Sequence, residues 1–222
     1  MTGGRRDRLR VQLRSLTLGA KAYQILTLRP SDPVQFSVEA SHEFRMVRSD
    51  LAGTHRLARL LWALSYQRRP GTLLALDHAH LVANADGSPS PPVVFYVHPQ
   101  TTLDASGLQA LHRWLRRPPA SERSVTMQTP GYDLARAEID AWRSDPHTRS
   151  SFPPKWHGRT EPPSRVDTVH GMVVIAGSRT TVRTWSLLIG WLNGSWYAGE
   201  DCAEPDHEMR FDVHAVDQFS PR

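Results

Sequence analysis

Residues 72–98, TLLALDHAHLVANADGSPSPPVVFYVH, decide how the chain is read, because two apolar, β-prone runs flank the turn-rich ADGSPSP. Runs joined in this way predict an antiparallel hairpin, since Gly, Pro, Asp and Ser supply the backbone angles and local hydrogen bonds of turns. The first run carries His78 and His80 two positions apart, with Asp77 just before them. Strand side chains alternate, so a strand through this stretch would project His78 and His80 from one face and Asp77 and Ala79 from the other. That geometry permits a shared ligand.

Working outward from the hairpin, Ser49 or Asp50 can cap a helix running to about Tyr66. In it Leu57, Leu60, Leu61 and Leu64 keep the spacing of one buried stripe, and Pro70-Gly71 ends it. On the other side, Asp104 or Ser106 caps a second helix to Arg117, with Leu108, Leu111, His112 and Leu115 on one stripe, and the strand SVTMQT follows. From Val34 to Thr129 the order is strand, helix, strand, strand, helix, strand, with one additional strand, EFRMV, before the first helix. This predicts an α+β fold with a ferredoxin-like, split βαβ core. The runs VQLRSLTL, AYQILTL, VQFSVEA and EFRMV form an N-terminal β meander.

A third helix, Tyr132 to Arg143, places Tyr132, Ala135, Ile139 and Trp142 at helical spacing and is closed by Asp145-Pro146. Residues 144–165 hold five prolines and no sustained periodicity. Beyond them TVHGMVVIA, TWSLLIGWL, SWYAGE and EMRFDVHAV read as a C-terminal antiparallel β region. The expected organisation is a core with a basic N-terminal arm over 1–143, a Pro-rich connecting loop over 144–165, and a β hairpin region over 166–222 packed on the core.

At 222 residues and 39% hydrophobic content the chain can bury a sizeable core. The single cysteine, Cys202, excludes an intrachain disulfide. The start, MTGGRRDRLRVQLRS, has no apolar run of the kind a signal peptide needs. MVVIA and LLIGWL fall far short of the ~20 apolar residues of a membrane span. The expectation is a cytoplasmic protein with no membrane partner.

Of the 27 basic residues, all but Lys21 and Lys155 are arginine. Arg5, Arg6, Arg8, Arg10 and Arg14 against Asp7 put +4 into the first 14 residues, leaving only +1 of the net +5 for the rest of the chain. Residues 200–217 carry Glu200, Asp201, Glu204, Asp206, Glu208, Asp212 and Asp217 against Arg210, a local −6. Charge split this way steers a polyanion to one end, or draws the two ends together.

Several residues bear on chemistry. The element order around His78 and His80 resembles that of the HUH single-strand nucleases. The resemblance implies that the paired histidines hold a divalent ion, the one cofactor this reading calls for, and that Tyr132 is the nucleophile forming a phosphotyrosyl intermediate. The stretch departs from that pattern in having Ala79 between the histidines, no third ligand in evidence, and Arg136 rather than a lysine after Tyr132. The cluster EDCAEPDHE, with Cys202 and His207, lacks the further ligands of a zinc site. His112 reads as a core histidine and His55 as a surface one. Nucleotide-binding, esterase and zincin motifs are absent from the sequence.

A binding protein needs less. The arm with Arg5, Arg6, Arg8 and Arg10, the first helix with Arg56 and Arg59, and the long loop with Phe152, Lys155, Trp156, Arg159 and Arg165 interleave cations with aromatics, as single-strand grooves do. In TWSLLIGWLNGSWYAGE, Asn193-Gly194 predicts a two-residue hairpin with Trp191 opposite Trp196. Trp185 joins them on one apolar face, to be covered by Ile139 and Trp142 of the third helix or by a partner. The function expected first is a noncatalytic partner-binding or scaffold subunit, one that acts in a nucleic-acid-associated complex or self-associates. A nucleic-acid-binding protein comes second and an HUH-like nuclease third.

Overall fold

The structure is a computed structural model, and it describes residues 8–18, 21–40, 45–117, 123–145, 164–192, 200–206 and 211–216. The chain is mixed α/β. Its elements run β1 (Arg8–Leu18), β2 (Lys21–Thr27), β3 (Phe36–Ala40), β4 (Arg45–Ser49), α1 (Leu51–Ser65), β5 (Thr72–Leu76), β6 (Val93–Val97), α2 (Ala105–Arg116), β7 (Arg123–Gln128) and α3 (Tyr132–Ser144). They continue with β8 (Arg165–Val169), β9 (Met172–Gly177), α4 (Arg179–Gly190), β10 (Glu200–Asp206) and β11 (Phe211–Val216).

The first ten of these elements, β1 through α3, lie where the residue pattern places them. Asp50 caps α1 by accepting from the Gly53 amide at 2.6 Å, and Asp104 caps α2 by accepting from Gly107 at 2.8 Å. β5 and β6 pair antiparallel, as the hairpin reading requires. Every residue of β5, β6 and β9 is buried, which is why these strands read as continuous apolar runs: both sheet faces are covered at the centre.

The strand order differs from a ferredoxin-like sheet. A seven-stranded sheet has the order β7-β1-β2-β5-β6-β9-β8, and a four-stranded sheet has the order β10-β11-β4-β3. In a split βαβ sheet the strand before the first helix would sit among β5, β6 and β7. Here β3 and β4 pair with each other and, through β4, with β11, and the β1–β2 hairpin takes their place beside β5 and β7. The N-terminal strands are therefore two hairpins in two sheets rather than one meander. The reason lies in residues far along the chain, since Phe211, Val213 and Ala215 of β11 bury fully and hold β4 in the second sheet.

The C-terminal region also departs from the all-β reading. TWSLLIGWL lies mostly in α4, started by Ser178, whose hydroxyl accepts from the Thr181 amide at 3.1 Å. Val182, Trp185 and Ile189 form its buried stripe. The Asn193-Gly194 turn falls outside the described residues. α1 and α4 pack against each other, with the Ser186 hydroxyl donating to the Ala58 carbonyl at 2.7 Å. The larger core gathers α1, α3, α4 and strands of both sheets, while α2 covers the other face of the long sheet. Among the described residues no helix is long and apolar enough to cross a membrane.

Candidate functional site

A strongly charged concavity is built at the start of β1. The β1–β2 register sets Gln12 opposite Thr27, so continuing it two residues brings Arg29 beside Arg10. On the other side Arg10 lies opposite Thr126 of β7. Opposed residues share a sheet face, so Thr126 and Arg10 lie on one face with Arg8 next along β1, and Arg29, two residues past the end of β2, lines the same cleft. Arg56 arrives from α1 and donates to the Arg10 carbonyl at 3.1 Å. Arg8, Arg10, Arg29, Arg56 and Thr126 line a cleft of ≈ 480 Å³.

Among the described residues one carboxylate, Asp32, sits in this cluster. Asp32 accepts from Arg29 at 2.7 Å and from Arg56 at 3.1 Å, and it also accepts the Arg29 backbone N–H at 3.1 Å. Burial pushes the Asp32 carboxyl up, but the Arg29 hydrogen bonds and the Arg56 charge more than reverse this and hold it below the usual carboxylate range. The Arg29 and Arg56 Nε atoms are buried with no hydrogen-bond partner among the described residues. Arg8 and Arg10 are exposed and have no ion-pair partner among the described residues. Among the described residues four guanidinium groups meet one carboxylate here, so the cleft carries a net positive charge. Both Arg8 and Arg10 belong to β1 rather than to a free arm.

No known family, curated protein or solved structure matches the chain.

His78 and His80 do not share a strand face. β5 ends at Leu76, and the chain turns, with the His80 amide donating to the Asp77 carbonyl at 3.0 Å. His78 is exposed, whereas His80 is 3% exposed. The His80 Nε2 lies 2.9 Å from the Arg29 carbonyl and its Nδ1 lies 3.6 Å from Asp77. Asp77 in turn accepts from Arg14 at 2.8 Å. The residues after it pair with β3: the Phe36 amide donates to the His80 carbonyl and the Val82 amide to the Phe36 carbonyl. The DHAH turn thus clasps the two sheets together and fixes the backbone of Arg29 at the cleft. Among the described residues no group of three His, Cys, Asp or Glu side chains could hold a metal ion.

Tyr132, at the start of α3, is 2% exposed. The Arg59 guanidinium lies over its ring at 4.7 Å, and Trp62 meets it edge-on. Its hydroxyl has no hydrogen-bond partner among the described residues, and burial pushes the phenol up to about 12. Its neighbours are not those of His78 or His80, so the three do not assemble into one site. His55 is half-buried rather than on the surface, its Nε2 2.8 Å from the Leu192 carbonyl, and burial lowers its pKa. His112 is half-buried, its ring stacked 6.4 Å from that of His170.

Trp185 is in the core, edge-on to Phe211, and Trp191 is half-buried against the same core. Trp196, Arg5, Arg6, Lys155, Trp156, Arg159 and His207 lie outside the described residues, and the side chain of Cys202 is likewise not described. Sequence reasoning named Arg8, Arg10 and Arg56, but it passed over Arg29 and Asp32 as part of the RPSDP turn. The signal that finds them is the register of the β1–β2 hairpin, which is readable only once those two strands are paired.

Proposed function

We propose that the protein is a noncatalytic partner-binding subunit that grips an anionic partner in the arginine cleft between β1, β7 and α1. The observation that carries this reading is the cleft itself, where Arg8 and Arg10 stand exposed with no ion-pair partner among the described residues, beside the Asp32-braced Arg29 and Arg56. Bracing matters because a guanidinium already held in place loses little freedom on gripping a carboxylate or phosphate. A nucleic-acid strand is the second reading, favoured by the Tyr66 ring, which is 43% exposed in the neighbouring groove with the Arg183 guanidinium over one face at 4.4 Å.

The test titrates polyglutamate and an oligothymidylate onto the full chain across a range of salt. Binding should weaken steeply as salt rises. In Arg8→Gln/Arg10→Gln the oligothymidylate slope of log K against log salt should flatten by up to ~1.4, at roughly 0.7 for each phosphate neutralised on a single strand. Absent or salt-independent binding of both probes removes the reading.

A further inference from the structure

We infer that the outer edge of β7 accepts an extended segment of a partner protein in which acidic and apolar residues alternate; this specifies the partner of the arginine cleft and rests on that reading. β7 ends the seven-stranded sheet. Its inner edge pairs with β1 from Arg8↔Gln128 to Leu13↔Arg123, and among the described residues no strand lies on its outer side. Edge strands are usually blunted by proline, lysine, a bulge or a cover, because their unpaired N–H and C=O groups recruit another chain. The sequence RSVTMQ has neither proline nor lysine, and its pairing with β1 runs without a register shift.

The two faces of this edge differ in chemistry. Thr126 and Gln128 share the face of Arg10 and Arg8, where the arginine cleft opens. Arg123, Val125 and Met127 share the other face with Leu13, Val11 and Leu9. That second face has its own groove of ≈ 420 Å³, with Leu13, Leu26, Val125 and Met127 among its lining and Arg69, Arg123 and Tyr66 beside them. Thr126 borders both concavities.

A strand added to β7 would lie about 4.8 Å from it and send alternate side chains to opposite faces. One set would lie on the face of Thr126 and Gln128, within reach of the exposed Arg8 and Arg10 side chains opposite them on β1, which calls for Glu or Asp. The other would meet the apolar lining of the second groove, which calls for Val, Leu or Ile. Arg69 and Arg123 have no ion-pair partner among the described residues, so the groove adds to the preference for an acidic segment. Charge complementarity selects the occupant, and the period of two selects its extended form.

The experiment compares a fluorescent decapeptide of alternating glutamate and valine with a block peptide of the same composition, polyglutamate and oligothymidylate, all on the full chain. Anisotropy gives the affinity of each, and hydrogen exchange of the 123–128 amides reports strand addition. The alternating peptide should bind at least tenfold tighter than the block peptide and slow exchange of the outward-facing β7 amides. Arg10→Glu should weaken it at least tenfold. Equal affinities with unchanged β7 exchange overturn the inference, while salt-dependent polyglutamate binding leaves the cleft reading standing. Protection of the same amides by oligothymidylate but not by the alternating peptide also overturns it, and makes the partner a nucleic acid. If neither polyglutamate nor oligothymidylate binds, the cleft reading itself fails.

Discussion

Asp77 is 2% exposed, and two groups keep it charged there: the Arg14 guanidinium at 2.8 Å and the His80 ring at 3.6 Å. Burial alone would raise its carboxyl, but the nearby His80 ring and the hydrogen-bonded, charged Arg14 guanidinium outweigh burial and lower it below the ordinary value. The unfolded chain therefore takes up this proton first as the medium is acidified. The contribution of Asp77 to stability is complete above the ordinary carboxylate range and is lost as pH falls from about 5 through the depressed folded value. Urea unfolding should show Asp77→Asn destabilised at pH 7 by about 3 kcal/mol, as expected when one member of a buried ion pair is removed. Its stability should also fall less steeply than that of the native chain between pH 5 and 3, with the remaining slope carried in part by Asp32. Parallel slopes in the two proteins would show that Asp77 is not the titrating group. The sequence displayed the Asp77, His78 and His80 side chains but not their roles. Asp77 is paired with Arg14, 63 positions earlier, and nothing local to LALDHAHLV announces that the chain leaves the sheet at Asp77.

Among the elements, α4 shows how one stretch can satisfy two periods. Trp185, Leu187, Ile189 and Trp191 alternate as a strand would, while Val182, Trp185 and Ile189 fall on one helical stripe, and the start signal, Ser178, lies upstream of the apolar run. Packing decides in favour of the helix. α1 and α4 approach closely at Gly190, where an added methyl would overlap the Tyr132 hydroxyl and crowd the Ala58 Cβ at 3.3 Å. Gly190→Ala should cost about 1–3 kcal/mol, the usual penalty of overpacking. Tyr132→Phe removes a buried hydroxyl that has no hydrogen-bond partner among the described residues, so it should be neutral or stabilising by about 1 kcal/mol. It should also relieve the clash, so that the double variant is more stable than the single effects predict, by about 0.5 kcal/mol or more. Additive effects in thermal or urea unfolding would mean that the helices part at Gly190 by some other route. α1 and α2 were legible because each has its capping aspartate and its stripe in one continuous stretch. The same local rule misread α4, whose cap and stripe were divided by an equally regular alternation.

At the scale of the whole molecule, strand order is what local pattern could not supply, because it depends on partners distant in the chain. β9 lies between β6 and β8, and β11 lies between β10 and β4. Elements after residue 164 therefore complete both sheets, and α4 completes the packing around α1. The 144–165 stretch, for all its prolines, joins parts that share one core: Val173, Ile175, Trp185, Leu187, Ile189, Phe211 and Val213 bury alongside Leu57, Leu60, Phe95 and Val47. Burying a large apolar side chain is worth about 1.5–3 kcal/mol. Losing those seven would thus remove on the order of 10 kcal/mol or more, comparable with the roughly 5–15 kcal/mol by which a whole domain is stable. Residues 1–143 expressed alone should consequently fail to fold, leaving β4 and the wholly apolar β6 as bare sheet edges that aggregate. The full chain should unfold in urea as one transition, with tryptophan fluorescence and far-ultraviolet circular dichroism coinciding. Trp62 reports from α1 and Trp185 from α4, so two separately melting parts would split the fluorescence curve. A cooperatively unfolding 1–143 fragment would overturn the shared core and restore a domain boundary at the proline-rich stretch.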